Sequence, residues 1–365
     1  MRKFFPIFLI TIMVVFCISI QIGQAEDEGK EVDEIFDSFI TDDSPGGAVI
    51  VIEEGKVIYK SAYGLADIKK KIPMNTKNIF HLGSTGKQFT ALAVMMLAEK
   101  GKLKYDEPVG KYLPELNRFG NKLTIRRLLH HTSGIPDYTT DDKLYEDLFK
   151  LSKKPANKDA LSLLAKEGKL LFTPGERFEY SNTGYDMLGS LVEKLSGQTF
   201  PVFMEKHIFG PLGMKNSFSL PNPSRKKDSK IAHSYEMEDG KVEVYDSDPM
   251  DDLVGSGSIY STVEDMYLYD QALYTDKLVK QSTFAEALKP AKLNDGTNTD
   301  YGFGWEVGKT ETGHRYMKHD GAWLGFISYY VRFPKEHLSV IILLNRNYDL
   351  PEGDPEMEIA DIFLL

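Results

Sequence analysis

The spacing of apolar residues changes several times along this chain, and each change marks an element. From Glu31 to Ile40 (EVDEIFDSFI) the apolar positions recur at helical spacing, and Pro45-Gly46-Gly47 breaks the pattern ahead of the β-branched run Ala48 to Glu53. A turn at Glu54-Gly55 leads into Lys56 to Ser61, so a helix followed by a hairpin is expected. Lys87 to Lys100 (KQFTALAVMMLAEK) is apolar almost all round, the mark of a buried helix, and Gly101 supplies its C-terminal stop. Between about residues 105 and 290 the pattern is mostly helical. Ile125 to His130, Leu144 to Leu151, Asp159 to Ala165 and Tyr185 to Leu195 are the candidate helices, with Ser196-Gly197 closing the last. Pro221 to Lys230 is a polar surface loop, and a Ser261-x-x-Glu264 capping box opens a helix to Asp270. Aromatic and β-branched runs then return at Phe303 to Val307, Tyr316 to His319, Phe326 to Phe333 and Leu338 to Asn345, and Met357 to Leu365 closes as a helix. The fold expected is α/β: one antiparallel sheet built from residues about 46 to 66 and 300 to 345, flanked by terminal helices, with a helical subdomain inserted from about 86 to 295.

The first 25 residues differ from the rest. Arg2 and Lys3 precede an apolar run from Phe4 to Ile20, and Gly23-Gln24-Ala25 precedes the charged Glu26-Asp27-Glu28. This pattern predicts a secretory signal peptide cleaved after Ala25, leaving residues 26 to 365 as the working domain; an uncleaved anchor helix is the alternative. The expected location is secreted or cell-surface. Cys17 is the only cysteine and lies in that apolar run, so thiolate catalysis and Cys-type zinc sites are excluded from the mature chain. The 365 residues carry 44 basic and 54 acidic side chains, a net charge of −10 that becomes −12 without Arg2 and Lys3. Nucleic acid and anionic membrane surfaces are therefore poor partners. A hydrophobic content of 42% is that of a folded globular chain.

Three short patterns carry chemistry. Ser84-Thr85-Gly86-Lys87 lies where a Gly83 turn meets the buried helix, and the i, i+3 spacing lets the Ser84 hydroxyl meet the Lys87 amine at a helix N-terminus. A serine hydroxyl needs such a partner to shed its proton. Ser224-Arg225-Lys226-Lys227 has the same spacing, but in a solvated Pro/Lys loop. Tyr180-Ser181-Asn182 is the one Tyr-x-Asn of the chain, and a lysine ammonium beside Tyr180 would favour its phenolate. Helix capping by Asn182 beside a packed tyrosine is the plainer alternative. His319-Asp320-Gly321 ends a predicted strand; His81-Leu82-Gly83 has the same form and is read as structural.

In this order the three elements resemble the active-site motifs of the serine β-lactamase and penicillin-binding-protein superfamily, specifically its class C β-lactamase and D,D-peptidase branch: Ser-x-x-Lys, Tyr-x-Asn, then Lys-Thr-Gly or His-x-Gly. Leu128 to Ile135 (LLHHTSGI), Phe172 to Gly175 and Gly255-Ser256-Gly257 look like that branch too. The resemblance spans residue 35 to the C-terminus. It implies Ser84 as nucleophile, Lys87 as activating cation, and Tyr180 as general base and later acid. Asn182 would contact the substrate amide, His319 with Gly321 would orient the substrate or its carboxylate, and the Ser84 and Ala322 amides would form the oxyanion hole. His319 stands where β-lactamases of this branch carry lysine, and a neutral imidazole attracts a carboxylate less, which favours peptidase or esterase relatives. His130 and His131 are expected to pack the loop.

The expected function is an exported serine hydrolase working through an acyl-enzyme on Ser84, of D,D-peptidase or esterase type. Its partner would be a small-molecule or peptide substrate, cell-wall peptide included, with no cofactor and no metal. The rivals are a non-catalytic surface protein that binds peptidoglycan or β-lactams, and a true class C-like β-lactamase. An α/β-hydrolase would need Gly-x-Ser-x-Gly and a zinc hydrolase His-Glu-x-x-His; neither occurs.

Overall fold

The computed structural model describes residues 27 to 364 except Pro223, Lys226 and Lys227. The signal-peptide assignment lies outside the described residues, as do those three positions of the polar loop. Among the described residues no helix is long and apolar enough to cross a membrane.

A helix over residues 27–37, α1, leads into strands β1 (Gly47–Glu53) and β2 (Lys56–Tyr63). The chain returns to the same sheet after residue 300 with β3 (Glu306–Lys309), β4 (Arg315–Trp323), β5 (Phe326–Phe333) and β6 (Leu338–Leu344). The spatial order is β3-β4-β5-β6-β1-β2, antiparallel throughout, with β1 pairing β6 from Gly47↔Leu344 to Glu53↔Leu338. The two chain ends thus build one sheet, as the hydrophobic pattern predicts.

Both faces of that sheet are covered, which explains why β1 and β6 read as continuous apolar runs. The pleat sends alternate residues to opposite faces. Val49, Val51, Val340 and Ile342 pack on Val32 and Phe36 of α1 and on Ile359 and Ala360 of the C-terminal helix Pro355–Phe363. Ala48, Ile50, Ile52, Ile341 and Leu343 face the inserted region. There the central helix α2 (Lys87–Glu99) is buried along nearly its whole length and packs against α3 (Asn182–Ser196). A buried ion pair fixes α4 (Val263–Ala272) to the sheet. Arg332 Nε donates to Asp270 Oδ1 at 2.6 Å, and that oxygen also accepts from Tyr330 and Ser339.

Three details differ from the sequence reading. His319-Asp320-Gly321 lies inside β4 rather than at a strand end, because the pairing with β5 continues to Trp323. The inserted region carries strand structure of its own, in a small sheet of Phe80–His81, Ile259–Ser261 and Phe218–Ser219 and in a hairpin at Tyr235–Glu238 and Lys241–Val244. Segments of two to four residues are too short to show a period of two. The cap of α4 is Thr262, whose side chain accepts the Asp265 N–H at 3.0 Å; Ser261 ends the preceding strand instead.

Candidate active site

Ser84 sits in a tight helical turn, Gly83–Gly86, that runs directly into α2. The turn is tied down on two sides. Leu82 N–H donates to Ile259 O at 2.8 Å, Gly83 N–H donates to His81 Nδ1 at 2.9 Å, and Ser328 Oγ of β5 donates to Leu82 O at 2.7 Å. Thr85 Oγ1 reaches His319 O of β4 at 3.2 Å. The approach to β4 is so close that glycine is required on both sides. A Cβ on Gly83, which has φ +51, would lie 2.6 Å from Ala322 N, and one on Gly321 would lie 2.8 Å from Ser84 N and 2.2 Å from Leu82 O. The backbone amides of Ser84 and Ala322 are thereby brought to one place beside the hydroxyl.

Lys87, three residues on, is wholly buried, and its amine has three acceptors. Nζ donates to Ser84 Oγ at 3.0 Å, to Asn182 Oδ1 at 2.8 Å and to Ser256 O at 2.7 Å. It also lies 4.7 Å from the centroid of the Tyr180 ring. Burial pushes the lysine well below its ordinary pKa, while Asp186 and Asp137 act in the opposite direction.

The Tyr-x-Asn triplet is delivered by the start of α3. Ser181 is the cap, its side chain accepting the Gly184 N–H at 3.1 Å, so Asn182 is free of capping duty. The Asn182 carboxamide is nonetheless fully engaged. Its Nδ2 donates to Asp137 Oδ2 and Thr139 Oγ1, each at 3.1 Å, and its oxygen accepts from Lys87. Asn182 Oδ1 thus holds the lysine, and Asn182 also lines the cleft in which a substrate would lie.

Tyr180 lies flat against His131, with ring centroids 4.2 Å apart. Its hydroxyl is buried without a formed hydrogen bond among the described residues. Ser84 is near enough to draw the phenol pKa down, but burial outweighs this and pushes it far up. Asp320, Asp137 and Glu306 add to the effect of burial, and together these favour the neutral phenol.

His319 lies within β4. It is 3% exposed. Its Nδ1 donates to Asp320 O at 2.5 Å and its Nε2 accepts from the Tyr301 hydroxyl at 2.8 Å, so both nitrogens are engaged in a neutral ring. Burial, and after it the charge of Lys87, holds its pKa low. His131 packs as expected: its Nδ1 accepts the Ser181 N–H at 3.0 Å.

In front of this assembly lies a cleft of about 230 Å³ lined by Ser84, Asn182, Asp186, Ala322, Tyr138 and Trp323, among others. Lys87, His319 and Gly321 are buried beneath it, and the half-buried Tyr180 packs over the Lys87 amine. Four contributors were not singled out from sequence: Asp137, Tyr138, Asp186 and Tyr301; Ser256 was, as part of Gly255-Ser256-Gly257, but without its task of holding the lysine. Asp186 was within reach of sequence reasoning, because four residues past Asn182 on a helix is the same face. The other three come from loops whose placement only the fold decides.

Comparison with known proteins bears on the whole chain. The Beta-lactamase family model matches residues 32–362. Penicillin-binding protein 4* of Bacillus subtilis is 32% identical over 355 residues, covering 93% of this chain and 76% of that one. Among solved structures, an octameric penicillin-binding protein homologue from Pyrococcus abyssi superposes with a TM-score of 0.80 at 26% identity, over 94% of this chain and 77% of that one. A penicillin-binding protein from Bacillus halodurans gives 0.76 at 28% identity, over 91% and 100%. With its sheet built from both chain ends and a serine and lysine meeting at the head of a buried helix, this chain belongs to the β-lactamase family of penicillin-binding-protein-like serine hydrolases.

Proposed function

We propose that this protein is an exported acyl-transfer hydrolase that cleaves peptide or ester bonds through an acyl-enzyme on Ser84. The observation that carries the reading is the Lys87 amine, buried, 3.0 Å from the Ser84 hydroxyl and held there by two further acceptors. A lysine pushed down by burial can exist as the free amine, and a free amine is a base. As Ser84 Oγ attacks the carbonyl carbon, its proton passes to Lys87. Negative charge on the carbonyl oxygen is met by the Ser84 and Ala322 amides. Tyr180, which keeps its proton, gives it to the leaving amine or alcohol as the carbonyl bond to that group breaks, and recovers a proton from the Lys87 ammonium. Water then attacks the ester on Ser84 by the same route in reverse.

The neutral, fully hydrogen-bonded His319 offers no fixed positive charge to a substrate carboxylate. This supports a peptidase or esterase of D,D-peptidase type over an efficient β-lactamase, and a penicillin-binding protein as relative is in keeping with it. A peptide of the cell wall suits an exported enzyme, and export rests on the basic and apolar pattern of residues 2 to 20.

The test is intact-mass spectrometry with turnover. Wild type should gain the mass of an acyl group from p-nitrophenyl acetate or a penicillin, and Ser84→Ala should gain none and hydrolyse neither the ester nor a D-Ala-D-Ala peptide. Turnover within a few-fold of wild type in Ser84→Ala would place the nucleophile elsewhere. An acyl-enzyme that forms from the ester and never clears, with no peptide turnover, would identify the non-catalytic binding protein.

A further inference from the structure

Asp186 lies on α3 one turn beyond Asn182, is 1% exposed, and lines the cleft. Its Oδ1 accepts the Ser256 N–H at 2.8 Å, and the carbonyl of that same Ser256 accepts from Lys87 Nζ at 2.7 Å. Its Oδ2 accepts from the Tyr138 hydroxyl. One hydrogen-bonded chain therefore runs from Tyr138 through Asp186 and the Ser256 backbone to Lys87 and Ser84.

We propose that Asp186 is a positioning residue for the reaction at Ser84: through Ser256 it fixes the cradle of Lys87, and its charge in this dry site sets the pH above which Lys87 accepts the serine proton. This rests on the reading of Ser84 and Lys87 given above.

The surroundings support the assignment to Asp186. Lys87 is faced by Tyr185 and Asp186 from α3, by Tyr180 just before it, by His131, Asp137 and Tyr138 from the loop after residue 129, and by His319 from β4; Tyr301 stands behind His319. Burial holds both histidines down and the tyrosines Tyr180, Tyr185 and Tyr301 up, so these are neutral around pH 7. Two carboxyls remain. Asp137 is committed to Asn182 and Thr139. Asp186 is the one bonded to the residue that holds the lysine. Burial pushes Asp186 up and Lys87 down, and each opposes the shift of the other.

The measurement is the pH profile of kcat/KM for p-nitrophenyl acetate, a neutral ester, with the full mature chain. Activity rises on the acid side as Lys87 loses its proton. Asp186→Asn keeps the size of the side chain but removes its negative charge, so the lysine loses its proton more readily and the acid limb should move to lower pH by about one unit or more. Tyr138→Phe removes one donor that favours the charged carboxyl, and should move the limb in the same direction by less. A purely structural role lowers the plateau and leaves the limb where it was. That result in Asp186→Asn, with Ser84→Ala inactive, overturns the assignment while leaving the nucleophile in place; residual turnover in Ser84→Ala overturns the underlying reading instead. Should Asp186→Asn fail to fold, an unmoved limb in folded Tyr138→Phe overturns the proposal alone.

Discussion

Two buried histidines, His81 at the nucleophile turn and His130 against Tyr301 and Phe303, should make the protein sensitive to mild acid, and the size of the effect follows from them. Burial drives His81 down to about 3 and His130 down to about 4. In the unfolded chain both return to about 6.5. Because the folded values are depressed, the unfolded state binds more protons as pH falls below about 6.5, so the stability present above that pH is lost progressively toward pH 4 to 3. At pH 5 each ring is still neutral in the fold and mostly protonated in the unfolded chain, which integrates to about 2 kcal/mol per histidine. Set against a typical total of about 5 to 15 kcal/mol, the two together are a large fraction. Buried carboxyls such as Glu356 and Asp265 are pushed up and titrate with the opposite sign, so the whole-protein curve mixes both effects. The clean readout is a difference. His81→Asn preserves an acceptor for the Gly83 N–H, and His130→Asn a donor for Tyr301 O. Each variant should be less stable than wild type in urea at pH 7, because ring volume is lost from the core. Each gap should then narrow by about 2 kcal/mol at pH 5, since the variant has no histidine to protonate there. A gap that is the same at both pH values would show that these rings are not held neutral, and the argument would fail.

Three further outcomes are expected. Gly321→Ala should lower kcat by about 10² and cost about 1 to 3 kcal/mol in urea, because its Cβ would meet Leu82 O at 2.2 Å and force apart the strand and the turn that carries Ser84; unchanged kinetics would mean that the two amides need not be adjacent. Tyr180→Phe removes a proton donor but little volume, so kcat should drop by about 10² or more with KM nearly constant, whereas a loss confined to KM would make Tyr180 a binding residue. Asp270→Ala leaves Arg332 charged and buried without its partner and should cost about 3 to 5 kcal/mol, while Asp270→Leu combined with Arg332→Met should cost much less than the sum of the two single changes.

What the sequence disclosed depended on how each feature is encoded. The sheet was legible because β1 and β6 are long, apolar and β-branched, and α2 because thirteen residues are apolar nearly all round. Ser84 and Lys87 were legible because their contact is local, one helical turn apart. Roles that depend on distant chain segments were not. Nothing near Asn182 in sequence reveals Asp137 and Thr139, which take both of its amide hydrogens. Nothing near His319 in sequence reveals Tyr301, which engages its Nε2 from 18 residues upstream in an irregular segment. The burial of the Tyr180 hydroxyl was hidden for a different reason: a sequence shows a neighbouring charge by residue type, but it does not show how far the site is cut off from water.

That isolation from water links the chemistry to the acid sensitivity. On the mechanism proposed above Lys87 serves as a base because it is desolvated, and it is desolvated by a packed aromatic wall in which His131 lies against Tyr180 and Tyr185, and His319 behind them. The same desolvation that discourages a charge on Lys87 discourages one on each of those imidazoles, and the lysine's own charge lowers both of them further. Substitutions that admit water would relax the histidines and make the fold more tolerant of acid, yet they would return Lys87 toward an ordinary ammonium that cannot take the Ser84 proton. In this active site, stability at low pH and reactivity at neutral pH are therefore opposed, and a variant that gains the first should lose the second in proportion to the water it lets in.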